Sequence, residues 1–295
     1  QTVLAATADR CSNGPHTYYP AQTGTGGTGV SEDVVLDSFN CDPLGRHSML
    51  QTAENVAAKH SISTAEQHEV VLRRYAQYQE ALSGDKAFQK RYMDLPFAVP
   101  DPRFRKKAEE IDGDQGVVKS TADGLAQLKP VVEGGTVTFG GQTHPADGNA
   151  AIVVSDPGKA QEFSADATVQ IRILSAGQSR VELAYMPEAP INAARSALQH
   201  ANLSFEDMDA IKTHNPFAVN DIIFARDTGV RVENFNNFGC SLIWGHPQAP
   251  TAMRSVIELI EELVMRGGGH GLFTGCAAGD SAMALVLAVD NRPTG

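Results

Sequence analysis

The chain has only four cysteines in its 295 residues, Cys11, Cys41, Cys240 and Cys276, and no two form a CxxC pair. That spacing argues against a zinc ribbon and a thioredoxin motif. It is also not that of a small disulfide scaffold, which a chain of this size does not need; a reducing cytoplasm is the expected location. Basic residues are scarce: 24 Lys and Arg stand against 35 Asp and Glu, a net charge of −11. A nucleic-acid role is disfavoured, because phosphate binding relies on clustered Lys and Arg. The densest basic patch, Arg103 to Glu110 (RFRKKAEE), reads as the solvated start of a helix, with a cationic surface for nucleotide phosphates as the alternative. No apolar run reaches membrane-spanning length. The opening QTVLAATADR lacks a basic stretch leading into an apolar one, so no signal peptide is expected, and the missing initiator Met is read as a true start that is not shown.

What is present is the make-up of a globular protein: 42% hydrophobic, 20% charged, mean hydropathy −0.22. Residues 1–8 read as a short buried strand, and 10–45, rich in Gly, Thr, Pro and Asn, as loop. Ser63-Thr64-Ala65-Glu66 is a capping-box pattern, followed by Val71, Leu72, Tyr75 and Tyr78 at helical spacing. Residues 84–118 look irregular, and a short helix is expected over 120–128. Ala150–Ser155 is a strand candidate, and Val169, Ile171 and Ile173 alternate as in a strand with one buried face. Pro190 opens a helix over 190–201, and Ala210–Thr213 is a strand that delivers His214. In helix 251–266, Met253, Ile257, Ile260 and Val264 form one stripe, and Gly267-Gly268-Gly269 stops it. Residues 271–276 and 281–289 form a hairpin without alternation, expected to be buried on both faces. The second half is thus an α/β layered unit with no short-period repeat.

Three blocks in this half carry chemistry: His214-Asn215-Pro216-Phe217, Gly245-His246-Pro247 and Cys276-Ala277-Ala278-Gly279. His246 is held between Gly and Pro; an imidazole titrating near neutrality can deprotonate a thiol and then pair with the thiolate. A turn or capping His ahead of the helix is the competing reading. Cys276 ends a strand, where a thiol can be nucleophile or general acid/base; the competing reading is a small buried hydrophobe. His214 and Asn215 sit at a strand's carboxyl end, which in α/β sheets faces a crevice, or they cap the next helix. Cys240 packs in the core or lines a pocket, and Cys11 and Cys41 have no assigned role. The Gly run Thr23–Gly29 lacks the Lys of a phosphate loop.

Taken jointly, the order and spacing of these blocks resemble the thiolase superfamily. Asp9-Arg10-Cys11-Ser12-Asn13-Gly14-Pro15, Thr52-Ala53-Glu54-Asn55-Val56-Ala57, Leu128-Lys129-Pro130-Val131, Thr136–Gly140 and Asp147-Gly148 extend the likeness along the chain. The resemblance implies a layered αβαβα fold of two similar halves with an inserted loop domain that holds coenzyme A and makes oligomer contacts. On it, 10–147 is the loop domain and 160–295 the C-terminal half. Residues 1–9 and 148–159 are a remnant of the first half, which is expected to be incomplete in this chain. It further implies that Cys276 is the proton-shuttling Cys. His246 is the base that activates the nucleophilic Cys, and His214 stands where many thiolases hold a water-orienting Asn. Ala278, Gly245 and Asn215 support the oxyanion site, and Thr143 and Met49 contact the CoA arm. Three departures stand out: Ala278 replaces the glycine of the usual Cys-x-Gly, His214-Asn215-Pro216-Phe217 replaces Asn-Glu-Ala-Phe, and Thr143-His144-Pro145-Ala146 replaces Ser-Gly-Ile-Asn near the pocket. They suggest an acyl-CoA other than plain acetoacetyl-CoA.

The segment that carries the family's acyl-accepting Cys is expected to be absent, and Cys11 aligns after a different strand. The expected activity is therefore that of a thiolase-type acyl-CoA C-acyltransferase, cleaving or forming 3-ketoacyl-CoA. Its nucleophile would come from a missing N-terminal segment or a companion polypeptide. The alternative is a non-catalytic thiolase-like scaffold subunit. Coenzyme A enters as substrate, with no tightly bound cofactor and no metal expected. A homo-oligomer, dimer or tetramer, is the expected assembly, with no nucleic acid and no membrane span.

Overall fold

This computed structural model describes residues 1–21 and 27–291; residues 22–26, which hold most of the Gly run, lie outside the described residues. Along these residues the strands are β1 (Thr2–Arg10), β2 (His16–Tyr19), β3 (Val30–Asp33), β4 (Phe97–Pro100), β5 (Lys107–Ile111), β6 (Asp147–Ser155), β7 (Val169–Arg180), β8 (Ala210–His214), β9 (Gly268–Ala277) and β10 (Ser281–Asn291). The helices are α1 (Val34–Asn40), α2 (Met49–Lys59), α3 (Thr64–Ala81), α4 (Ser83–Lys86), α5 (Ala122–Ala126), α6 (Pro157–Phe163), α7 (Ala189–Ala201), α8 (Ala218–Thr228), α9 (Ser241–Trp244) and α10 (Gln248–Arg266).

The main sheet runs β7-β10-β9-β8, antiparallel except for the parallel pair β8 and β9. Its middle strand, β10, buries Ala282, Ala284, Val286, Leu287, Ala288 and Val289, as a strand covered on both faces should. Helix α7 covers one face and α10 the other. Contact with α7 is close because β7 carries Gly177, where a Cβ would run into the backbone of Ala193 and Ala197. Behind α10 lies a second sheet, the antiparallel pair β1–β6. The layers therefore run helix, sheet, helix, sheet; a fifth helical layer over the outer face of β1–β6 is not among the described residues.

That outer face corrects the expectation of a buried first strand. Along β1 only Ala5, Thr7 and Asp9 are half-buried, facing α10, while Leu4 and Val153 are 65% and 54% exposed. Two further expectations give way. The 10–45 stretch is not all loop: it holds the β2–β3 hairpin and α1, capped by Asp33, whose side chain accepts from the N–H of Val35 and Leu36. The basic patch 103–110 does not start a helix; it turns into β5, paired antiparallel with β4.

The stripe read on α10 is also displaced. Met253, Ile257, Ile260 and Val264 are only partly buried, and the innermost positions are Thr251, Ser255, Glu258, Leu259, Glu262 and Leu263. Two glutamates can sit there because each is met by donors. Glu258 accepts from Lys212 Nζ at 3.0 Å, Tyr92 Oη at 2.7 Å and Arg254 Nε at 3.0 Å; Glu262 accepts from Asn237 Nδ2 at 2.7 Å.

Region 10–147 is fastened to the main sheet by buried polar contacts. Arg74 on α3 donates through Nε to Asp221 Oδ2 at 2.7 Å, and both side chains are fully buried. The guanidinium also donates to the carbonyls of Val232 and Phe235 and lies 4.2 Å over the Phe235 ring. Asp114 and Arg254 form a second bridge at 2.5 and 2.9 Å. Removing one partner of a buried pair strands the other. Asp221→Ala should lower stability by about 3–5 kcal/mol, read as an earlier urea midpoint; a loss below about 1 kcal/mol would mean the pair is not structurally important.

Candidate active site

The carboxyl ends of β8 and β9 bring His214 and Cys276 to one rim of the main sheet. Gly245 then turns the chain so that His246 meets them. Its φ of +98° lies in the region glycine favours, and a Cβ there would also press on His144 and Ala146. The result is a cavity of about 560 Å³ whose wall includes His214, His246, Cys276, Ala278, Thr143 and Met49. Among the described residues, no Lys, Arg, Asp or Glu lines it. Of the expected support residues, Asn215 and Gly245 stand behind the wall, both buried.

The imidazole rings of His214 and His246 lie 4.3 Å apart, centroid to centroid, at 31°. Each is oriented by a hydroxyl. Thr251 Oγ1 gives its one proton to the Pro247 carbonyl at 3.0 Å, so it accepts from His246 Nδ1, 2.7 Å away. Ser241 Oγ donates to Asn215 Oδ1 at 3.1 Å and so accepts from His214 Nδ1 at 2.8 Å. These bonds assign the Nδ1–H tautomer to both rings and leave each Nε2 as a lone-pair acceptor. Neither Nε2 has a hydrogen-bond partner among the described residues.

Asn215 is the hub behind the rings. Its Nδ2 donates to Asp221 Oδ2 at 2.7 Å and to Cys240 Sγ at 3.1 Å, while its Oδ1 also accepts from Leu242 N–H at 3.2 Å. Segment 142–146 closes the arrangement from the other side. Thr143 N–H donates to the Pro216 carbonyl at 2.7 Å, Thr143 Oγ1 to the Ser241 carbonyl at 2.5 Å, and the His144 carbonyl accepts from His246 N–H at 2.8 Å. Thr143, expected to contact the CoA arm, thus uses its hydroxyl within the protein.

Burial sets the charge state. It pushes His246 down to about 4, against a smaller opposing pull from Asp9. It pushes His214 well below the ordinary value, reinforced by His246. Both rings are neutral near pH 7. Burial raises the Cys276 thiol to about 12, with Asn220 Nδ2 at 3.8 Å easing and Asp280 adding to the rise. Cys240 is raised to about 11 by burial, with Asp221 adding, and is a core residue. Cys11 Sγ lies 3.9 Å from the carbonyl of His246 and beside the backbone of Gln248 and Ala146, and it does not line the cavity; Cys41 is exposed. Among the four cysteines, Cys276 alone lines the cavity with the two histidines.

Sequence reading missed Ser241 and Thr251, which orient the rings, and Asp221 and Asn220 on α8. A hydroxyl carries no signal of which ring it will meet. Asn220 and Asp221, one turn into the helix after His214, could have been suspected from that position. The wall contributed by Ser38, Phe39, Ser48 and Leu50 comes from a stretch read partly as loop.

Family models match almost end to end: Thiolase, N-terminal domain, over 3–157, and Thiolase, C-terminal domain, over 167–289. The first takes in β1, β6 and all between them, so the stretch read as a remnant plus an inserted loop domain falls within the N-terminal domain model. The expectation of an absent N-terminal segment and an incomplete first half gains no support from these matches. An acetyl-CoA acetyltransferase of Pseudomonas aeruginosa is 28% identical over 292 residues, 98% of this chain and 73% of that protein. Peroxisomal 3-ketoacyl-CoA thiolase A of Mus musculus is 30% identical over 90% of this chain and 62% of its own length. Among solved structures, the Bacillus anthracis acetyl-CoA acetyltransferase superposes with a TM-score of 0.85 at 26% identity, covering 98% of this chain and 72% of that one. Human mitochondrial 3-ketoacyl-CoA thiolase in complex with CoA gives 0.86 at 26%, covering 97% and 70%.

The lowered histidine yields a stability prediction. Unfolded His246 titrates near its ordinary 6.5 and the folded one near about 4, so the unfolded state binds more protons between those values. Stability is complete above about 6.5 and falls as the pH drops toward about 4, by at most about 1.4 kcal/mol per pH unit from this group. Urea unfolding at a series of pH values should show that slope, and His246→Gln should flatten it; an unchanged slope would contradict the buried neutral ring. By fold, by the placement of these residues and by the family matches, the chain belongs to the thiolase family of acyltransferases.

Proposed function

We propose that this chain supplies the proton-handling part of a thiolase active site, which cleaves or forms 3-ketoacyl-CoA by acyl transfer to or from coenzyme A. The observation that carries the reading is the cavity wall: Cys276 opposite two neutral histidines, each orientated from behind by a buried hydroxyl. The solved relative with CoA supports coenzyme A as the substrate. The uncharged lining supports a neutral acyl group, since a second carboxylate would find no cation there.

In condensation, His246 Nε2 takes the Cys276 thiol proton, the thiolate takes a proton from the α-carbon of an acyl-CoA, and the C–H electron pair moves into the thioester to give an enolate. The enolate carbon attacks an acyl group held as a thioester on another cysteine. The carbon–carbon bond forms and that thioester's C–S bond breaks. In thiolysis the Cys276 thiol returns the proton to the same carbon, a role that its raised pKa suits. His246 acts at the acylation step. Its Nε2 takes the proton of the attacking thiol and passes it to the departing CoA sulfur. While it carries that proton, Nε2–H is a donor for the thioester oxygen, so base and oxyanion roles alternate on one atom. His214 stays neutral beside it and offers Nε2 as an acceptor for a water that donates to the same oxygen. The Ala278 N–H is the candidate second oxyanion donor.

The acylated cysteine is placed outside the described residues, on a companion polypeptide or a further segment, because Cys276 is the cysteine on the cavity wall and is assigned to the proton. A homo-oligomer, a dimer or tetramer, would shield the exposed Leu4 and Val153. Four free cysteines support a reducing cytoplasm. Among the described residues no helix is long and apolar enough to cross a membrane. A scaffold subunit would need neither an oriented histidine pair nor a thiol facing it.

The test separates proton handling from acylation. Incubated with acetyl-CoA in deuterium oxide, the protein should exchange the α-protons, followed by NMR or mass. Cys276→Ala should slow exchange by about 10²–10⁴-fold. An undiminished rate would sink the catalytic reading of this cysteine.

A further inference from the structure

The turn that follows Cys276 is anchored by charged groups that the mechanism does not use. Ala278, Gly279 and Asp280 join β9 to β10, and Asp280 adopts a left-handed φ of +54°. Its side chain is fully buried, and neither carboxylate oxygen has a hydrogen-bond partner among the described residues. A buried, unpaired carboxylate is costly unless a cation compensates it. The group that faces it is His47, whose Nε2 lies 3.4 Å from Oδ2. His47 comes from the segment between α1 and α2, far from the turn in sequence. That segment also supplies Asp42, 1% exposed, whose Oδ2 accepts from Gly279 N–H at 3.0 Å and whose Oδ1 accepts from Leu44 and Gly45 N–H at 2.9 and 2.6 Å. The His47 carbonyl in turn accepts from Asp42 N–H at 2.8 Å. The Arg180 guanidinium lies beside Gly279.

Turn chemistry alone does not require this arrangement. Gly would adopt the φ of Asp280 without strain, and the chain here has a carboxylate buried against an imidazole instead. From this geometry we infer that Asp280 is a positioning residue for Cys276. With His47 and Asp42 it locks the Ala277–Asp280 turn against the α1–α2 segment and sets the charge that faces the thiol. The inference rests on the reading of Cys276 as the proton-handling cysteine. Besides the two cavity histidines, the thiol is met by the Asn220 amide, 3.8 Å from Sγ, which favours the thiolate, and is opposed by the Asp280 carboxylate. A less stable thiolate is a stronger base toward a carbon acid. His47 is the side chain set against Asp280, with Nε2 3.4 Å from Oδ2.

The experiment measures alkylation of Cys276 in the intact protein against pH, by peptide mass so that the other cysteines do not interfere. Asp280→Asn keeps the shape and tolerates a left-handed φ. It should move the Cys276 profile to lower pH by about half a unit or more. Asp280→Gly should move it the same way. If the Asn and Gly profiles both overlay the parent, Asp280 only shapes the turn and the inference fails. Alkylation needs no turnover, so its outcome is independent of the proposed reaction.

Discussion

The carboxylate of Asp221 is the interaction on which the site depends. One oxygen takes Arg74 from α3 and Asn215 from the loop after β8; the other takes Thr213 Oγ1 at 3.2 Å. Through Asn215 the constraint passes to Ser241, and through Ser241 to the ring of His214. A charge buried without these donors would cost several kcal/mol, so the helix, the strand end and the histidine loop are held to one relative placement. The same donors decide that Asn215 faces the core rather than the cavity, although the chain places it next to a catalytic candidate.

A second consequence is the division of labour between neutral and charged groups. Among the described residues the cavity wall carries no Lys, Arg, Asp or Glu, and charged groups sit one layer behind it, Asp221 paired with Arg74 and Asp280 set against His47. Such an interior keeps His246 and His214 neutral and the Cys276 thiol protonated at rest. Proton transfer then begins from groups with no hydration shell to shed, and the field that tunes them is fixed in advance.

Much of the C-terminal half was legible because its signals are local. Pro190 at the start of α7, the continuous apolar runs of β9 and β10 and the Gly stop after α10 each reflect one element's own chemistry. His214, His246 and Cys276 could be named because each follows a strand or a Gly-Pro-framed turn, positions that open onto a crevice. The region before residue 147 was poorly legible. The β2–β3 and β4–β5 hairpins lack a two-residue turn signal, and Gly, Thr and Pro there read as loop. The α10 face was misjudged because Glu258 and Glu262 look solvent-facing until Lys212, Tyr92 and Asn237 arrive from distant segments. Ser241, Thr251 and Asp280 were invisible for the same reason: their partners are set by tertiary contact.

The central claim is that Cys276 moves protons and a different cysteine carries the acyl group. The direct measurement is to incubate the protein, with whatever polypeptide purifies with it, with an acyl-CoA, quench in acid and map the acyl adduct by peptide mass. The account predicts an adduct on a cysteine other than the four described here, with Cys276 unmodified. An acyl group found on Cys276 would contradict it, because that residue would then be the nucleophile.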